Sequence, residues 1–313
     1  MAAATTIGVV MSVLDGSALI DQTLASVAGQ SRLPDQVVAV DDGSSDDTAE
    51  RMEAWSDRLP ITVLRHPETR GLCAGKNAAF AALTTDLVVP LDGDDIWLPD
   101  HLEVLGDRFD RRGGIVSPGV LRWFPNLGIA ESSVRSPRPV PESDQLDRLI
   151  RNNFVFSGSL FSREDGMRIG GPDGPWRPFG PSVDWDLWLR MVRAGVRLTV
   201  IPHPTVLYRL HDGSMSAGGR ALPSAIDVLE AFRSVEPDSH LRSVADQSLR
   251  DHRARLRLEE AYALALDGHP WAARRRLWRA VGAGGRTLRN SVAMSIAPTR
   301  VAGLRAGSRY RLR

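Results

Sequence analysis

Three short clusters of acidic residues carry most of the chemistry that the sequence offers. They read VDDGS from Val40, LDGDD from Leu91 and DWD from Asp184. Carboxylates can accept hydrogen bonds from a nucleotide, bind a divalent cation through hard oxygen ligands, or take a proton from a hydroxyl group. The sequence therefore favours a binding or catalytic site that is built from acidic side chains.

The second cluster is typical of a metal site. Asp92, Asp94 and Asp95 follow an apolar run directly, and Trp97 and Pro99 come soon after them. Carboxylates this close repel one another unless a positive group lies among them. Oxygen ligands suit Mg²⁺ or Mn²⁺, whose remaining positions phosphate oxygens and water can fill. A solvated acidic turn is the alternative, and the apolar flanks weigh against it.

The other two clusters leave alternatives open. Asp41 and Asp42 belong either to an ordinary turn or to a contact with a nucleobase or ribose. Asp184 suits either a general base or a helix N-terminus, where the dipole favours acidic residues. For Asp186 we prefer the second interpretation. Farther on, His211 is either a structural histidine or a residue that completes a metal shell.

Short apolar runs alternate with helical patterns over the first hundred residues. The predicted strands are 7–13, 36–40, 61–64 and 87–91, and the predicted helices are 18–28, 45–55 and 72–83. This order predicts an α/β fold with a mostly parallel sheet flanked by helices. Ligands bind such sheets at the carboxyl ends of the strands, which is where the acidic clusters fall.

Later segments are less regular. We expect helices at 99–109 and 184–193, strands at 115–124, 154–161, 198–201 and 206–210, and a mobile loop at 125–141. Beyond residue 219 the pattern is helical, with 256–265 and 271–281 the clearest segments. The predicted organisation is therefore one α/β domain, 1–218, and a helical, Arg-rich C-terminal region, 219–313.

Composition excludes several classes of protein. A net charge of +1 argues against a general polyanion binder, and no nucleic-acid recognition module accompanies the basic residues. Cys73 is the only cysteine, so a disulfide within the chain is impossible and a reducing cytoplasm is compatible. The N-terminus has no basic residue before its apolar stretch, and we predict neither a signal peptide nor a membrane span.

Five segments, in this order along the chain, resemble glycosyltransferase family 2, whose members have the GT-A fold. They are VVMSVLDGSALIDQTLASVAGQ, VVAVDDGSSDDT, RGLCAGKNAAFAAL, VVPLDGDDIWLPDHLE and VDWDLWLRMVRAGVRLTVIPHPTVLYRLHDGSMS. The resemblance covers about residues 5 to 216. It implies an inverting, metal-dependent transfer of a sugar from a nucleotide-diphosphate sugar to an acceptor hydroxyl, as in the synthesis of cell-envelope polysaccharide.

The resemblance also implies roles for individual residues. Asp184 would be the general base, and Asp94, Asp95 and His211 would lie at the metal, Mn²⁺ or Mg²⁺. Asp92 would meet the ribose of the donor. The positions expected to bind the nucleotide sugar are Val13, Asp15, Asp41, Asp42, Lys76, Asp92 and Gly93.

Three departures from the family pattern motivate a second interpretation. Leu14 stands where the family often has Tyr, Lys76 where Arg is common, and Val183 where Glu usually precedes the Asp. A non-catalytic nucleotide-sugar-binding protein of the same fold is therefore the alternative. The Gln/Arg-x-x-Arg-Trp segment of processive members is absent from the sequence, which favours non-processive transfer.

The C-terminal region suggests a second partner. From Trp271 to Arg313 there is no Asp, Glu or Lys, whereas Arg recurs throughout. We expect an apolar stripe beside these arginines on a helix, formed by Trp271, Leu277, Trp278 and Val281. One hypothesis is a peripheral contact with the inner face of the membrane. The alternative is a solvated basic helix, and the acceptor is left open among a glycan, a lipid-linked molecule and a small molecule.

Overall fold

The computed structural model describes residues 5–109, 114–125, 128–132, 141–211, 214 and 221–283. Within them a single mixed sheet of nine strands is flanked by helices. The strands are β1 Ile7–Val13, β2 Gln36–Asp41, β3 Ile61–Arg65, β4 Leu87–Pro90, β5 Ile96–Trp97, β6 Gly114–Phe124, β7 Ile129–Ser132, β8 Leu160–Ser162 and β9 Arg197–Arg209. The helices are α1 Ile20–Ala28, α2 Thr48–Glu53, α3 Leu72–Ala82, α4 His101–Arg108, α5 Glu142–Arg151, α6 Arg163–Gly170, α7 Val183–Arg193, α8 Ala221–Val235, α9 Ser239–Leu266 and α10 Pro270–Ala283.

The N-terminal half of the sheet is parallel. Strands β3, β2, β1 and β4 lie side by side in that order, and every pair among them is parallel. All seven residues of β1 are buried, as a continuous apolar run between two helical layers predicts. The four strands predicted from the sequence here are confirmed, and their carboxyl ends share one edge.

The other half of the sheet contains antiparallel pairs, but six of the nine described strands run in one direction, so the predicted mostly parallel sheet is confirmed. Strand β8 pairs antiparallel with both β4 and β6, so β6 runs in the same direction as β4. Strand β9 is parallel to β6, and β5 is antiparallel to β9. The carboxyl end of β9 therefore reaches the same edge as the carboxyl end of β4.

Several predicted elements differ in the structure. The strand expected at 154–161 is shorter, because the Phe156 backbone is satisfied by side chains: its N–H donates to Ser117 Oγ and its carbonyl accepts from Ser159 Oγ. The two strands expected at 198–201 and 206–210 form one long strand, β9. The loop expected at 125–141 contains strand β7, and its residues 126–127 and 133–140 lie outside the described residues.

The chain divides into two compact units, Met1–Ala245 and Asp246–Arg313. The division falls inside α9, whereas the sequence predicts a boundary at residue 218, and 215–220 lie outside the described residues. Helix α8 packs on α7, which explains why the first unit extends beyond the predicted boundary. Among the helices that the structure describes, none is both long and apolar enough to cross a membrane.

Candidate active site

The site lies where four strands of the first unit end. Strands β1, β2 and β4 deliver their following residues to one edge because they are parallel, and β9 delivers His211 to the same edge. Helix α7 contributes Asp184 from its first turn. This edge therefore collects residues from all three acidic clusters that the sequence analysis identifies.

Lys76 lies at the centre of the site, between two carboxylates. Its Nζ is 3.0 Å from Asp92 Oδ1 and 3.6 Å from Asp184 Oδ1. The side chain of Lys76 has no exposed surface. Burial acts to lower the pKa of Lys76, but the charges of Asp184 and Asp92 outweigh it and raise the pKa above its ordinary value. The ammonium is therefore charged at neutral pH, and a direct contact with a donor would first require the carboxylates around it to separate.

Asp184 has the environment of a general base. It is buried, and its Oδ1 accepts a hydrogen bond of 3.2 Å from Trp176 Nε1. Burial raises the pKa of Asp184, and the neighbouring Asp92 adds to this, while Lys76 and the Trp176 hydrogen bond oppose it. A carboxylate with a raised pKa is a stronger base and can accept a proton at neutral pH more readily.

Asp94 and His211 face each other at the same edge. The distance between Asp94 Oδ2 and His211 Nε2 is 3.0 Å, and both side chains are partly exposed. Burial raises the pKa of Asp94, the charge of Asp92 raises it further, and His211 acts in the opposite direction. Asp94 and His211 therefore present a carboxylate oxygen and an imidazole nitrogen close together at this edge.

Asp95 is more deeply buried than Asp94. Its side chain is buried, and its Oδ1 accepts a hydrogen bond of 3.1 Å from the backbone N–H of Arg209. The antiparallel pairing of β5 with β9 brings the two residues together, so the Asp95 side chain satisfies a backbone N–H at the end of β9. Within the described residues no three His, Cys, Asp or Glu side chains converge on a point that could hold a metal ion. The role of Asp94, Asp95 and His211 as metal ligands stays a prediction.

Asp42 is surrounded by hydrogen-bond donors from the segment that leads into α3. Burial acts to raise its pKa, but hydrogen bonds from His66, the Arg70 N–H, Thr69 and the Gly71 N–H outweigh it and hold the pKa below its ordinary value. Both carboxylate oxygens are engaged by these donors at 2.7–3.0 Å. Asp42 therefore fixes the segment that leads into α3.

Asp41 is also buried, and its Oδ1 accepts a bond of 3.3 Å from the Ser44 N–H. Between these two residues and the next helix, Gly43 has a φ of +80°, and a Cβ there would lie 2.7 Å from the Glu68 carbonyl carbon. This close approach explains the glycine in the VDDGS motif. The contacts predicted between Asp41 or Asp42 and a nucleobase or ribose stay predictions.

The loop after β1 is tied to the loop after β2. Asp15 adopts a φ of +48°, and its Oδ1 accepts a hydrogen bond of 2.8 Å from the Ser45 N–H. Val13 packs against Gly93, where a Cβ would lie 3.0 Å from a Val13 methyl carbon. The three predicted donor-binding positions Val13, Asp15 and Gly93 thus line the same edge as Asp92.

Arg209 is part of the scaffold. Its Nε donates to the Asp94 carbonyl at 2.8 Å, and a terminal nitrogen donates to Gln22 Oε1 at 2.9 Å. Its guanidinium also lies over the Trp123 ring, 4.4 Å from the ring centroid. These contacts hold the Asp94 backbone in place.

Sequence reasoning missed three residues that complete the site. Ser157 Oγ donates to Asp92 Oδ2 at 3.2 Å, His66 contacts Asp42, and Trp176 contacts Asp184. The first two come from irregular segments whose spacing carries no signal. Trp176 also lies in an irregular segment, so its hydrogen bond to Asp184 emerges from the structure alone.

Comparisons with known proteins identify the family and the fold. The profile of a family described as "Glycosyl transferase family 2" matches residues 8–168. The chain is 26% identical over 267 residues to the succinoglycan biosynthesis protein ExoU of Rhizobium meliloti, covering 82% of this chain and 77% of that protein. Its fold is similar to S. aureus TarS 1-349 in complex with UDP-GlcNAc, with a TM-score of 0.64, 15% identity, and coverage of 91% and 83%. It is also similar to the mannosyltransferase PcManGT from Pyrobaculum calidifontis in complex with GDP-Man and Mn²⁺, with a TM-score of 0.63, 19% identity, and coverage of 94% and 80%.

Proposed function

The chain belongs to glycosyltransferase family 2, and we propose that it is an inverting, metal-dependent and non-processive enzyme that transfers one sugar from a nucleotide-diphosphate sugar to an acceptor hydroxyl. The observation that carries the proposal is the cluster of Asp92, Lys76 and Asp184 beside the pair of Asp94 and His211. The first cluster, which contains Asp184, suits a proton transfer. The pair of Asp94 and His211 suits a divalent cation that binds the diphosphate of the donor.

The proposed reaction is a direct displacement at the anomeric carbon. The acceptor oxygen forms a bond to that carbon while the bond from the carbon to the diphosphate oxygen breaks, and the electron pair leaves with the nucleoside diphosphate. Asp184 takes the proton of the attacking hydroxyl. Attack from the face opposite the leaving group inverts the configuration. The buried position of Asp184 supports this role, because burial strengthens it as a base.

Asp94 and His211 are the residues that would hold a divalent cation. A carboxylate and an imidazole provide two ligands, and oxygens of the diphosphate and water would provide the others. When bound, Mn²⁺ or Mg²⁺ stabilises the negative charge of the leaving diphosphate. The raised pKa of Asp94, caused chiefly by burial and then by the charge of Asp92, supports the fit of a cation at this position.

The proposed product is a polysaccharide or a related glycan. ExoU is named for succinoglycan biosynthesis, and a second relative, from Erwinia amylovora, is named for amylovoran biosynthesis, which supports this class of product. The acceptor would then be a growing glycan, a lipid-linked molecule or a small molecule with a free hydroxyl.

A panel of nucleotides tests the donor site. We expect one nucleoside diphosphate or its sugar to raise the melting temperature of the protein only when Mn²⁺ or Mg²⁺ is present, because ligands that bind the folded state stabilise it. Thermal unfolding with each nucleotide, with and without metal, measures this. Folded protein that no nucleotide stabilises would contradict the proposal.

A non-catalytic nucleotide-sugar-binding protein is the second candidate. The presence of Leu14 and Val183 at positions where the family often has Tyr and Glu favours it. It predicts the same metal-dependent stabilisation but no release of nucleoside diphosphate with any acceptor. Donor hydrolysis or transfer above the level of the Asp184→Asn variant would exclude it.

A membrane contact through the second unit is a further part of the proposal. Tyr262 and Leu266 lie one turn apart on α9, and Trp271 follows the tight turn at Gly268. All three side chains are well exposed. The Arg274 guanidinium lies 5.9 Å from the Trp271 ring centroid. Exposed aromatic residues beside arginines suit the surface of an anionic bilayer.

Only part of the stripe predicted from the sequence can be compared with the structure. Leu277 is half-buried, whereas the side chains of Trp278 and Val281 lie outside the described residues. The exposed apolar residues near the α9–α10 turn therefore carry the proposal.

Vesicle co-sedimentation tests the membrane contact. Replacing Tyr262, Leu266 and Trp271 with Ser is expected to weaken binding to anionic vesicles by about tenfold or more, since a buried large apolar side chain contributes on the order of 1.5–3 kcal/mol. Leu33→Ser, at an exposed leucine in the first unit, is the matched control and should bind as the wild type does. Equal binding of both variants would contradict the proposal.

A further inference from the structure

Lys76 is a buried cation whose contacts differ from those of a residue that binds a donor. An ammonium without exposed surface loses its hydration, which is unfavourable unless carboxylates compensate it. Here Asp92 and Asp184 compensate it, at 3.0 and 3.6 Å. The ammonium makes these contacts as ion pairs, without a well-aligned hydrogen bond among the described residues. The charge of Lys76 is thus directed at the two carboxylates.

The two carboxylates come from separate elements and would repel each other without this cation. Asp92 follows β4, and its other oxygen accepts from Ser157 Oγ at 3.2 Å. Asp184 lies in the first turn of α7, and among the described residues its side chain accepts a hydrogen bond from Trp176 Nε1 at 3.2 Å. The position of Asp184 relative to Asp92 therefore depends on Lys76.

Helix α3 also holds Trp176, whose indole Nε1 contacts the same oxygen of Asp184 as Lys76 Nζ. Asn77 pairs with the Trp176 backbone in both directions: its Nδ2 donates to the Trp176 carbonyl at 2.8 Å, and its Oδ1 accepts from the Trp176 N–H at 3.0 Å. Gly174, with a φ of +84°, passes so close that a Cβ would lie 2.6 Å from the Asn77 side chain. Consecutive residues of α3 thus contact Asp184 directly and through Trp176.

The position of α3 is itself constrained by β1. A Cβ at Gly75 would lie 2.0 Å from Ser12 Oγ, so the helix can approach the strand this closely only with glycine there. Lys76 therefore extends from a helix that is held against the central strands of the sheet.

The charged and titratable groups near Asp184 are few. Lys76 and Asp92 act on it directly, and Cys73, on the same helix as Lys76, interacts with it electrostatically. Asp186, in the same turn, is instead paired with Arg190 at 2.7 Å and with Arg177 at 3.9 Å. Lys76 is consequently the one cation among the described residues that is paired with Asp184.

We propose that Lys76 is a positioning residue that holds Asp184 and Asp92 at a set separation and keeps Asp184 in its ionised form as the proton acceptor. This inference rests on the proposed function, because it concerns the base of the same transfer reaction. Lysine suits the task better than the arginine common at this position, because a compact ammonium fits between two buried carboxylates, whereas a planar guanidinium needs more room.

The test is the pH dependence of Lys76→Met. Lys76 stabilises the charged form of Asp184, so its removal raises the pKa of Asp184. We expect the acid limb of the kcat profile to move to higher pH by about one to three units, since an opposite charge within about 4–6 Å has an effect of this size. Activity should then be reduced most at low pH and recover as the pH rises. A loss of activity that is equal at every pH would overturn the proposal, since a purely structural role predicts that result.

Two further variants separate charge from shape. Lys76→Arg keeps the charge, so its acid limb should stay in place while kcat falls because the pocket is overfilled. Arg168→Met, which removes a half-exposed ion pair with Asp165 on α6, should leave the profile unchanged. If Lys76→Met does not fold, Lys76→Gln replaces it, with the same expected shift.

A second readout does not depend on turnover. The carboxyl ¹³C resonance of Asp184, assigned by its disappearance in Asp184→Asn, should titrate at higher pH in Lys76→Met than in the wild type. An unchanged midpoint would overturn the inference even if the enzyme is active. If the wild type transfers no sugar from any donor, the proposed function fails, while the titration still decides whether Lys76 controls the ionisation of Asp184.

Discussion

Asp184→Asn is expected to lower kcat by about 10³-fold, because general-base catalysis contributes on the order of 10²–10⁴-fold. The asparagine keeps the shape of the side chain and an oxygen that can accept the Trp176 hydrogen bond, but it cannot take the proton of the acceptor. Initial rates of nucleoside diphosphate release with saturating donor and acceptor measure the effect. Calorimetric binding of the nucleoside diphosphate should remain close to that of the wild type.

Asp186→Asn is the matched control for this prediction. Asp186 lies in the same helical turn and pairs with Arg190, whose Nε donates to Asp186 Oδ2 at 2.8 Å. Its substitution should lower thermal stability and leave the pH profile of turnover unchanged. If Asp184→Asn turned over as the wild type does, the assignment of the base would be wrong, and Asp92 would be the next carboxylate to consider.

Asp94→Ala is expected to abolish the metal dependence of donor binding and to weaken that binding by about 100-fold, at the upper end of the losses known for substitutions around metal ligands. Its carboxylate is the more exposed of the two acidic residues that follow Gly93, and it faces His211. A donor at about 100 times its Kd stabilises the folded state by about 2.7 kcal/mol, and a 100-fold weaker Kd reduces this to about 0.4 kcal/mol. Thermal unfolding with Mn²⁺ and the identified nucleotide detects this difference.

The control for Asp94→Ala is Asp100→Ala, which removes an exposed aspartate that pairs with His203. Its nucleotide-dependent stabilisation should match that of the wild type. Asp95→Ala is predicted to differ from both, because it removes the acceptor of the Arg209 N–H and so costs stability without nucleotide. Metal-dependent stabilisation that persists in Asp94→Ala would show that other residues bind the cation.

The two variants in the acidic motifs also distinguish an enzyme from a binding protein. In an enzyme, Asp184→Asn affects the rate and Asp94→Ala affects donor binding. In a non-catalytic protein of the same fold, only the second effect exists. The buried ion pairs around Lys76 favour the enzyme, since a site used for binding alone has no need to keep a buried carboxylate charged beside its ligand.

Sequence patterns alone were sufficient for the parallel half of the sheet. The run Ile7–Val13 was predicted with the bounds that the structure has, and β2, β3 and β4 agree to within a residue. Strands that are buried on both faces consist of continuous apolar residues, so their pattern is strong and local. The acidic clusters could be placed at the carboxyl edge for the same reason, because parallel strands end together.

The antiparallel pairing of β8 could not be predicted in the same way. The segment 154–161 has the composition of a strand, yet Leu160–Ser162 alone pairs with β4 and β6. Within this segment the Phe156 backbone bonds to the side chains of Ser117 and Ser159 instead of to the backbone of a neighbouring strand. Which of these partners a backbone group finds depends on the packing of distant segments, and local propensity does not contain that information.

The different contacts of the two neighbouring aspartates in the acidic motif also depend on the tertiary structure. Asp94 and Asp95 are adjacent and chemically identical, and the sequence assigned both to the metal. In the folded chain β5 pairs with β9, and Asp95 accepts a hydrogen bond from the Arg209 backbone N–H, whereas Asp94 faces His211. Which neighbour each carboxylate meets follows from strand pairing, which residue type does not determine.

The amino-acid sequence alone is sufficient to identify the family, the parallel strands and Asp184 as a candidate base. The folded chain alone shows that Lys76 lies between Asp184 and Asp92, and that the Trp176 indole contacts the same Asp184 oxygen as Lys76. The difference arises because sequence patterns report on interactions between residues that are close along the chain. Burial patterns and turn residues act between neighbours along the chain, whereas an ion pair among α3, β4 and α7 exists only after the sheet has brought these elements together.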